Sequence, residues 1–202
     1  MSFYNEGTTG PIPPTPTILA VGLVDDISKA VTSDLKEGGS VLFLVGNNGQ
    51  DMGGSLFLRV MGKEDSRVPR VEISQVKEYV ERMLAAMDKG LIAACHDPSE
   101  GGLAATLAEM CIGGGLGVRV EVETSIPTSI WLFNESPTRW IVEVPADKVK
   151  EFKSHMGELV VEEMGIVGGE ALVITVNGKK YISAPVSQLH GAWENPLWEE
   201  MG

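Results

Sequence analysis

An α+β fold, with helices flanking one mixed β-sheet, is predicted for this 202-residue chain by three observations. Two strand–helix–strand patterns follow one another between Leu91 and Val167, a long amphipathic helix precedes them, and Asn177-Gly178 joins two alternating apolar runs after them. Alternation of strands and helices builds layered sheets. An Asn-Gly hairpin forces at least one antiparallel pair, so the sheet is mixed.

The elements are read in chain order. Gly7 to Thr17, GTTGPIPPTPT, is rich in proline and glycine, which forbids a helix and favours an extended connector. SFYNE before it is too short to fold alone and reads as the end of something larger. TILAVGL is expected to be a strand, Asp25-Asp26 to open a short segment, and SVLFLVG to be a second strand between glycines. Gly46 to Gly54, GNNGQDMGG, is polar and lacks the Lys-Ser/Thr ending of a P-loop, so it reads as a plain loop. Ser74 to Lys89 is the clearest helix: Val76, Tyr79, Val80, Met83, Leu84 and Met87 share one face, and Gly90 terminates it.

Leu91 to Cys95 is expected as a short strand, the Leu103–Cys111 region as a helix ending at Gly113-Gly114-Gly115, and GVRVEV as the next strand. RWIVEV, the helix Ala146 to Met156 and ELVVEEMGIV make the second such unit. ALVITVNGKKYIS is the hairpin, and Val186 to Met201, with Leu189, Trp193, Leu197 and Trp198, is an amphipathic cap over the domain.

Composition excludes several functions. The net charge of −12 opposes a broad phosphate-binding surface, so no nucleic-acid partner is expected. Apolar runs such as Val41 to Val45 are far shorter than the ~20 residues of a spanning helix, so no membrane partner is expected either. MSFYNEGTTG lacks the basic start and apolar core of a secretory signal, so a cytoplasmic protein is expected. Cys95 and Cys111 lie in apolar segments without metal-ligand spacing and are expected as buried thiols. His155 and His190, each alone near a helix end, are read as structural or solvated.

The chemistry-bearing stretch is AACHDPSEGGLAATLAEMC, Ala93 to Cys111. Its polar residues admit two readings. In one, Ser99 accepts a hydrogen bond from a first-turn amide and Glu100 complements the helix dipole, which is ordinary capping. In the other, free amides near Ser99 to Gly102 face an anionic ligand, with Asp97 as a magnesium ligand. Gly101 and Gly102 each cost ~1 kcal/mol relative to alanine in a helix, so they imply close approach of a ligand or of another backbone. On the ligand reading, phosphate binds no better than roughly millimolar, and valine at position 102 blocks it while leaving the fold intact. Glu135 and Arg139 admit a four-residue ion pair, a solvent-facing loop or an exposed strand charge.

CHDPSEGGLAATLAEM also resembles the H-D-x-S-[DE]-G-G-L segment of the synthetase components of formylglycinamidine ribonucleotide synthases, within the aminoimidazole ribonucleotide synthetase-related superfamily. SFYNE, IPPTPTILAVGLVDD, MGGSLFL, LFNESPTRWIVEV and VSQLHGAWENPLW match in the same order, so the resemblance spans nearly the whole chain. It implies a three-layer α/β/α fold like the superfamily's C-terminal domain, in the second of two fused halves. Residues 1–17 then end a preceding domain and carry the linker, and residues 18–202 form the C-terminal domain of a fragment or truncated chain.

The resemblance implies a purine-pathway C–N ligase that uses ATP and Mg2+ to convert formylglycinamide ribonucleotide and glutamine-derived ammonia to the amidine. Implied partners are the synthetase's own N-terminal domains, a glutaminase subunit and a small bridging subunit, and self-association is expected of the isolated chain. No residue here corresponds to the catalytic histidine and lysine. Ser2 matches a substrate-contacting position. Asp97 and the pair Glu135-Ser136 correspond to metal- and substrate-binding positions of the first half. With His96, Ser99, Gly101 and Gly102 they would line an auxiliary nucleotide site, in which HDPSEGG is a remnant phosphate-facing turn. A non-catalytic docking domain and a stand-alone phosphate-binding module are the alternatives.

Overall fold

Period-two alternation of side-chain direction along the strands decides which residues point to which layer. A computed structural model describes residues 5–12, 18–24 and 26–201 of the chain. The expectations on Ser2, Phe3 and Tyr4, and on the linker prolines after Ile12, fall outside these residues. The side chains of Leu197 and Trp198 do so too.

The first strands, β1 (Asn5–Gly7) and β2 (Gly10–Ile12), form a small antiparallel hairpin. The start of the proline-rich stretch therefore folds back where an extended connector was expected. Gly10, at φ 126°, supplies backbone geometry that few other residues tolerate.

The main sheet has seven strands: β3 (Val41–Val45), β4 (Ala94–His96), β5 (Val118–Val122), β6 (Trp140–Val144), β7 (Val161–Val167), β8 (Ala171–Val176) and β9 (Lys179–Pro185). Their spatial order is β4-β6-β3-β7-β5-β8-β9. β5 and β8 pair in parallel and the other neighbours are antiparallel, so the sheet is mixed. The helices are α1 (Leu56–Val60), α2 (Ile73–Asp88), α3 (Gly102–Gly114), α4 (Thr128–Phe133), α5 (Val149–Met156) and α6 (Val186–Met201).

Period-two side-chain alternation sends Phe43, Val45, Val142 and Val144 to one face, where Tyr79, Met83 and Ala86 of α2 and Phe152 and Met156 of α5 cover them. Leu42, Leu44, Ile141, Val118, Val120 and Ile174 point the other way, under α3, α4 and Leu189 of α6. Helices thus lie on both faces of the sheet, a three-layer α/β/α arrangement. The strand–helix–strand units are present, but their strands are not adjacent. β6 and β7 straddle β3, and β6, β3 and β7 separate β4 from β5. Periodicity identifies strands and is blind to which strand slips between two others.

Several local readings hold. Gly90 ends α2 at φ 63°, and Leu91 N donates to Ala86 O at 2.9 Å, the six-to-one bond of a glycine-terminated helix. The hairpin turns at Asn177 (φ 50°) and Gly178 (φ 71°), as a two-residue turn of that type requires.

Others need correction. On α2, Val80 and Leu84 are exposed and Ala86 is buried, because the covered stripe is narrower than the apolar one. β4 begins at Ala94 and not at Leu91, although Leu91 and Ile92 are buried. Trp193 of α6 is exposed where the cap was expected to bury it.

The largest departure is TILAVGL, Thr17 to Leu23, expected as a strand; its described residues, Ile18 to Leu23, have no regular structure. The sheet's edges are β4 and β9, and no strand of the sheet pairs with this segment. Ile18, Leu19, Val21 and Val24 are strongly exposed, and Leu23 is 96% exposed. Contiguous apolar surface of this kind drives association. The isolated chain is expected to self-associate, and Leu23→Glu to weaken this at least several-fold. Sedimentation across a wide concentration range is the check, and a strictly monomeric profile would count against the expectation.

Candidate functional site

The site is built where three loops meet at the start of β6, and its anchor is Arg139, for which the sequence admits an ion pair with Glu135 or an exposed strand charge. Arg139 is 1% exposed. Its Nε donates to Ser136 O at 2.8 Å, Nη2 to Asn134 O at 2.8 Å, and Nη1 to Asn48 Oδ1. Burial pushes the guanidinium down to about 10, so it is still protonated at neutral pH. Among the described residues it makes no ion pair with a carboxylate, and three oxygens of two loops satisfy it instead. Neither the expected pairing with Glu135 nor an exposed strand charge is found.

Asn48 comes from the loop between β3 and α1, so Gly46 to Gly54 is a working part of the architecture. Asn134 Nδ2 donates to Asn48 Oδ1 at 2.6 Å, and Ser136 N donates to Asn134 Oδ1 at 3.1 Å. Thr138 sits at φ 58°, where a β-branched residue is strained. The network around Arg139 supplies the interactions that hold it there.

This rigid Asn134–Arg139 loop presents Glu135. One carboxylate oxygen, Oε1, accepts from Leu56 N at 2.8 Å and from Gly101 N at 2.8 Å. Leu56 is the first residue of α1 and Gly101 immediately precedes α3, so the carboxylate lies between two helix N-termini, where negative charge is favoured. Phe57 of α1 stacks on Phe133 of α4 with centroids 4.7 Å apart, closing the same corner.

Of the His96 turn, Gly101 is thereby brought into contact with Glu135, and in an unforeseen way. Ser99 does not cap α3 with its side chain. Its carbonyl oxygen accepts from Gly102 N at 3.1 Å, while Gly101, at φ 83°, stands in the capping position. The amides of Gly101 and Gly102 are thus taken within the chain, where free amides were expected. A Cβ on Gly102 (φ 63°) would lie 2.6 Å from Asn134 O and 2.8 Å from Phe133 C. The close approach that Gly102 permits is that of another backbone, the end of α4, whereas a Cβ on Gly101 would meet the Ala105 side chain of α3 itself. Short helices such as α1 and α4 leave too little periodicity to be read from sequence.

His96, at the end of β4, lies with Nε2 3.0 Å from Glu109 Oε2 and Nδ1 3.6 Å from Asp97 Oδ1. Asp97 is mostly exposed. Among the described residues no three His, Cys, Asp or Glu side chains gather as a metal-binding group. Nor does any lysine or arginine there pair with Asp97, Glu100, Glu109 or Glu135. The arrangement does not fit a bare nucleotide phosphate: its amides hold a carboxylate and its surroundings are acidic. Burial raises the thiols of Cys95 and Cys111 to about 12, and for Cys95 the Asp97 charge adds to this. Neither cysteine is a nucleophile at neutral pH.

Beyond Glu135 and Ser136, an open groove of ≈ 360 Å³ is lined by Asn47, Gly49, Asp51, Arg70, Ser136 and Thr138. Among the described residues no helix is long and apolar enough to cross a membrane.

Comparison with known proteins follows this geometry. Residues 37–177 match the family model described as AIR synthase related protein, C-terminal domain. The chain is similar to phosphoribosylformylglycinamidine synthase subunit PurL of Thermoanaerobacter pseudethanolicus, 39% identical over 203 aligned residues. That alignment covers 98% of this chain and 28% of the relative, so the chain spans little more than a quarter of the relative's length. Among solved structures, Thermotoga maritima PurL complexed with FGAR gives a TM-score of 0.68 at 18% identity, covering 81% of this chain and 30% of that one. The same protein complexed with ATP gives 0.60 at 19% identity, covering 81% and 28%. At these identities the structures speak to the fold alone.

Proposed function

From the premise that the chain belongs to the AIR synthase related protein family, through that family's C-terminal domain, we propose that it is the C-terminal part of a larger ATP-dependent C–N ligase. The reaction is formation of formylglycinamidine ribonucleotide from formylglycinamide ribonucleotide, ATP and ammonia. ATP, with Mg2+, supplies the phosphoryl group that turns the formamide oxygen into a leaving group, and ammonia displaces it as phosphate. The observation that carries the reading is the 39% identity across 98% of the chain to a PurL subunit.

Residues 1–17 then end the preceding domain and 18–202 form the present one, with Ser2 as its contact with substrate. The chain holds none of the residues that break bonds. Its own contribution is to dock, through the apolar segment beginning at Ile18, against N-terminal domains that complete the cleft. Glutamine-derived ammonia comes from a glutaminase subunit joined by a small bridging subunit, all in the cytoplasm. His96, Asp97, Ser99, Gly101, Gly102, Glu135 and Ser136 are the remnant of an auxiliary nucleotide site, with Asp97 the counterpart of a metal-binding residue.

Two measurements test this reading. The isolated chain is expected to yield no amidine above background with ammonia, ATP and formylglycinamide ribonucleotide. A chimera in which these 202 residues replace the matching segment of the Thermoanaerobacter subunit is expected to retain activity within about tenfold, since each 1.4 kcal/mol of mispositioning costs a factor of ten. A folded chimera with no activity would overturn the reading.

A further inference from the structure

We propose that Glu135 is the resident anion of the His96–Gly102 turn: its carboxylate holds the place a phosphate would take and closes the turn to anionic ligands. The proposal deepens the reading of that turn as a remnant auxiliary site and rests on it in that respect. It disagrees with the presence of a nucleotide there.

Three observations carry it. Glu135 Oε1 already accepts from both Leu56 N and Gly101 N at 2.8 Å, so the amides a phosphate oxygen needs are occupied. Charge-assisted bonds from backbone N–H groups to a carboxylate are among the stronger hydrogen bonds of proteins. The loop carrying Glu135 is not free to swing away. Asn134 is fully buried, Arg139 ties Ser136 and Asn134 to Asn48, and the backbone from Leu132 to Asn134 rests on Gly102. Finally, Asp97, Glu100 and Glu109 surround the turn without a paired lysine or arginine among the described residues, so a second anion meets repulsion on arrival.

Glu135 acts here as a positioning and excluding residue. A phosphate would have to break two bonds, displace a fixed carboxylate and accept the acidic neighbours. Removing the carboxylate leaves two N–H groups aimed at one point, the arrangement that binds anions at helix N-termini.

The test is an amide chemical-shift titration of the isolated chain with inorganic phosphate and, separately, magnesium-ATP, for the wild type, Glu135→Ala and Glu135→Gln. The wild type is expected to show no saturable shift at Leu56, Gly101 or Gly102 up to tens of millimolar. Glu135→Ala is expected to bind phosphate at those amides at least tenfold more tightly. Glu135→Gln, which keeps an acceptor oxygen and loses the charge, is expected to fall between the two. If Glu135→Ala does not fold, as judged by circular dichroism, a gain of about threefold in Glu135→Gln carries the test.

Wild-type binding as tight as that of the variants would overturn the proposal. So would a folded Glu135→Ala that binds neither ligand at these amides. Failure of the ligase reading appears instead in the chimera's turnover, which this titration does not measure.

Discussion

Replacing Gly102 by valine is expected to destabilise the domain by about 2–5 kcal/mol, measured as a shift in the denaturant midpoint. Sequence reasoning expects the opposite, a blocked ligand and an intact fold. The structure reverses this because the atoms that a Cβ would meet are backbone: Asn134 O at 2.6 Å, Phe133 C at 2.8 Å and Leu132 O at 2.9 Å. Backbone cannot rotate aside as a flexible side chain does. A left-handed conformation at φ 63° costs a non-glycine residue roughly 1–2 kcal/mol, and overpacking typically adds about 1–3. Gly102→Ala is expected to lose nearly as much. A melting profile unchanged in either variant would mean that α4 does not pack on the start of α3.

Arg139→Met is the second large effect, about 3–4 kcal/mol. Its side chain is comparable in volume, so the loss would come from polar groups. Ser136 O and Asn134 O lose their guanidinium donors while Asn48 Oδ1 keeps Asn134 Nδ2, and each unsatisfied buried acceptor costs about 1–3 kcal/mol before relaxation. Arg139→Lys is not expected to rescue it, because an ammonium group cannot reproduce the planar fork that reaches two carbonyls and a side-chain amide at once. Released from its anchor, the Asn134–Thr138 loop also loses the force that keeps Thr138 at φ 58°. The Glu135 contacts to Leu56 and Gly101 should then exchange with solvent faster than in the wild type. Equal stability of the methionine and wild-type chains would show that this network is not what holds the corner.

The two predictions mark where the sequence is informative and where it is not. β5 and the β8–β9 hairpin are legible because a strand with one face toward a core alternates, and β3 is legible as a short continuous apolar run between glycines, covered on both faces. Val118, Val120 and Val122 are buried while Arg119 and Glu121 are exposed. α2 and α3 are legible from apolar spacing and from the glycines that end them. The strand expected at TILAVGL fails for the converse reason: β-branched and apolar residues record a preference for burial, and neither edge strand, β4 or β9, pairs with Ile18 to Leu23.

The candidate site was half legible. Motif resemblance pointed to both His96–Gly102 and Glu135-Ser136, and the fold brings Gly101 and Glu135 into contact across 34 residues. What could not be read was which group satisfies which. A glycine pair is equally the mark of a ligand and of a packed backbone, and nothing local distinguishes an arginine buried among carbonyls from one in water. Asn48, 91 residues from Arg139, carried no signal beyond a polar loop.

One carboxylate closes this corner, and the most direct measurement compares the backbone amide proton shifts of the wild type with those of Glu135→Gln. Amide protons donating to a carboxylate lie downfield of those donating to a neutral amide. Leu56 and Gly101, 45 positions apart in the sequence, are predicted to move upfield together in Glu135→Gln. Unchanged shifts at both, or movement at only one of them, would contradict it.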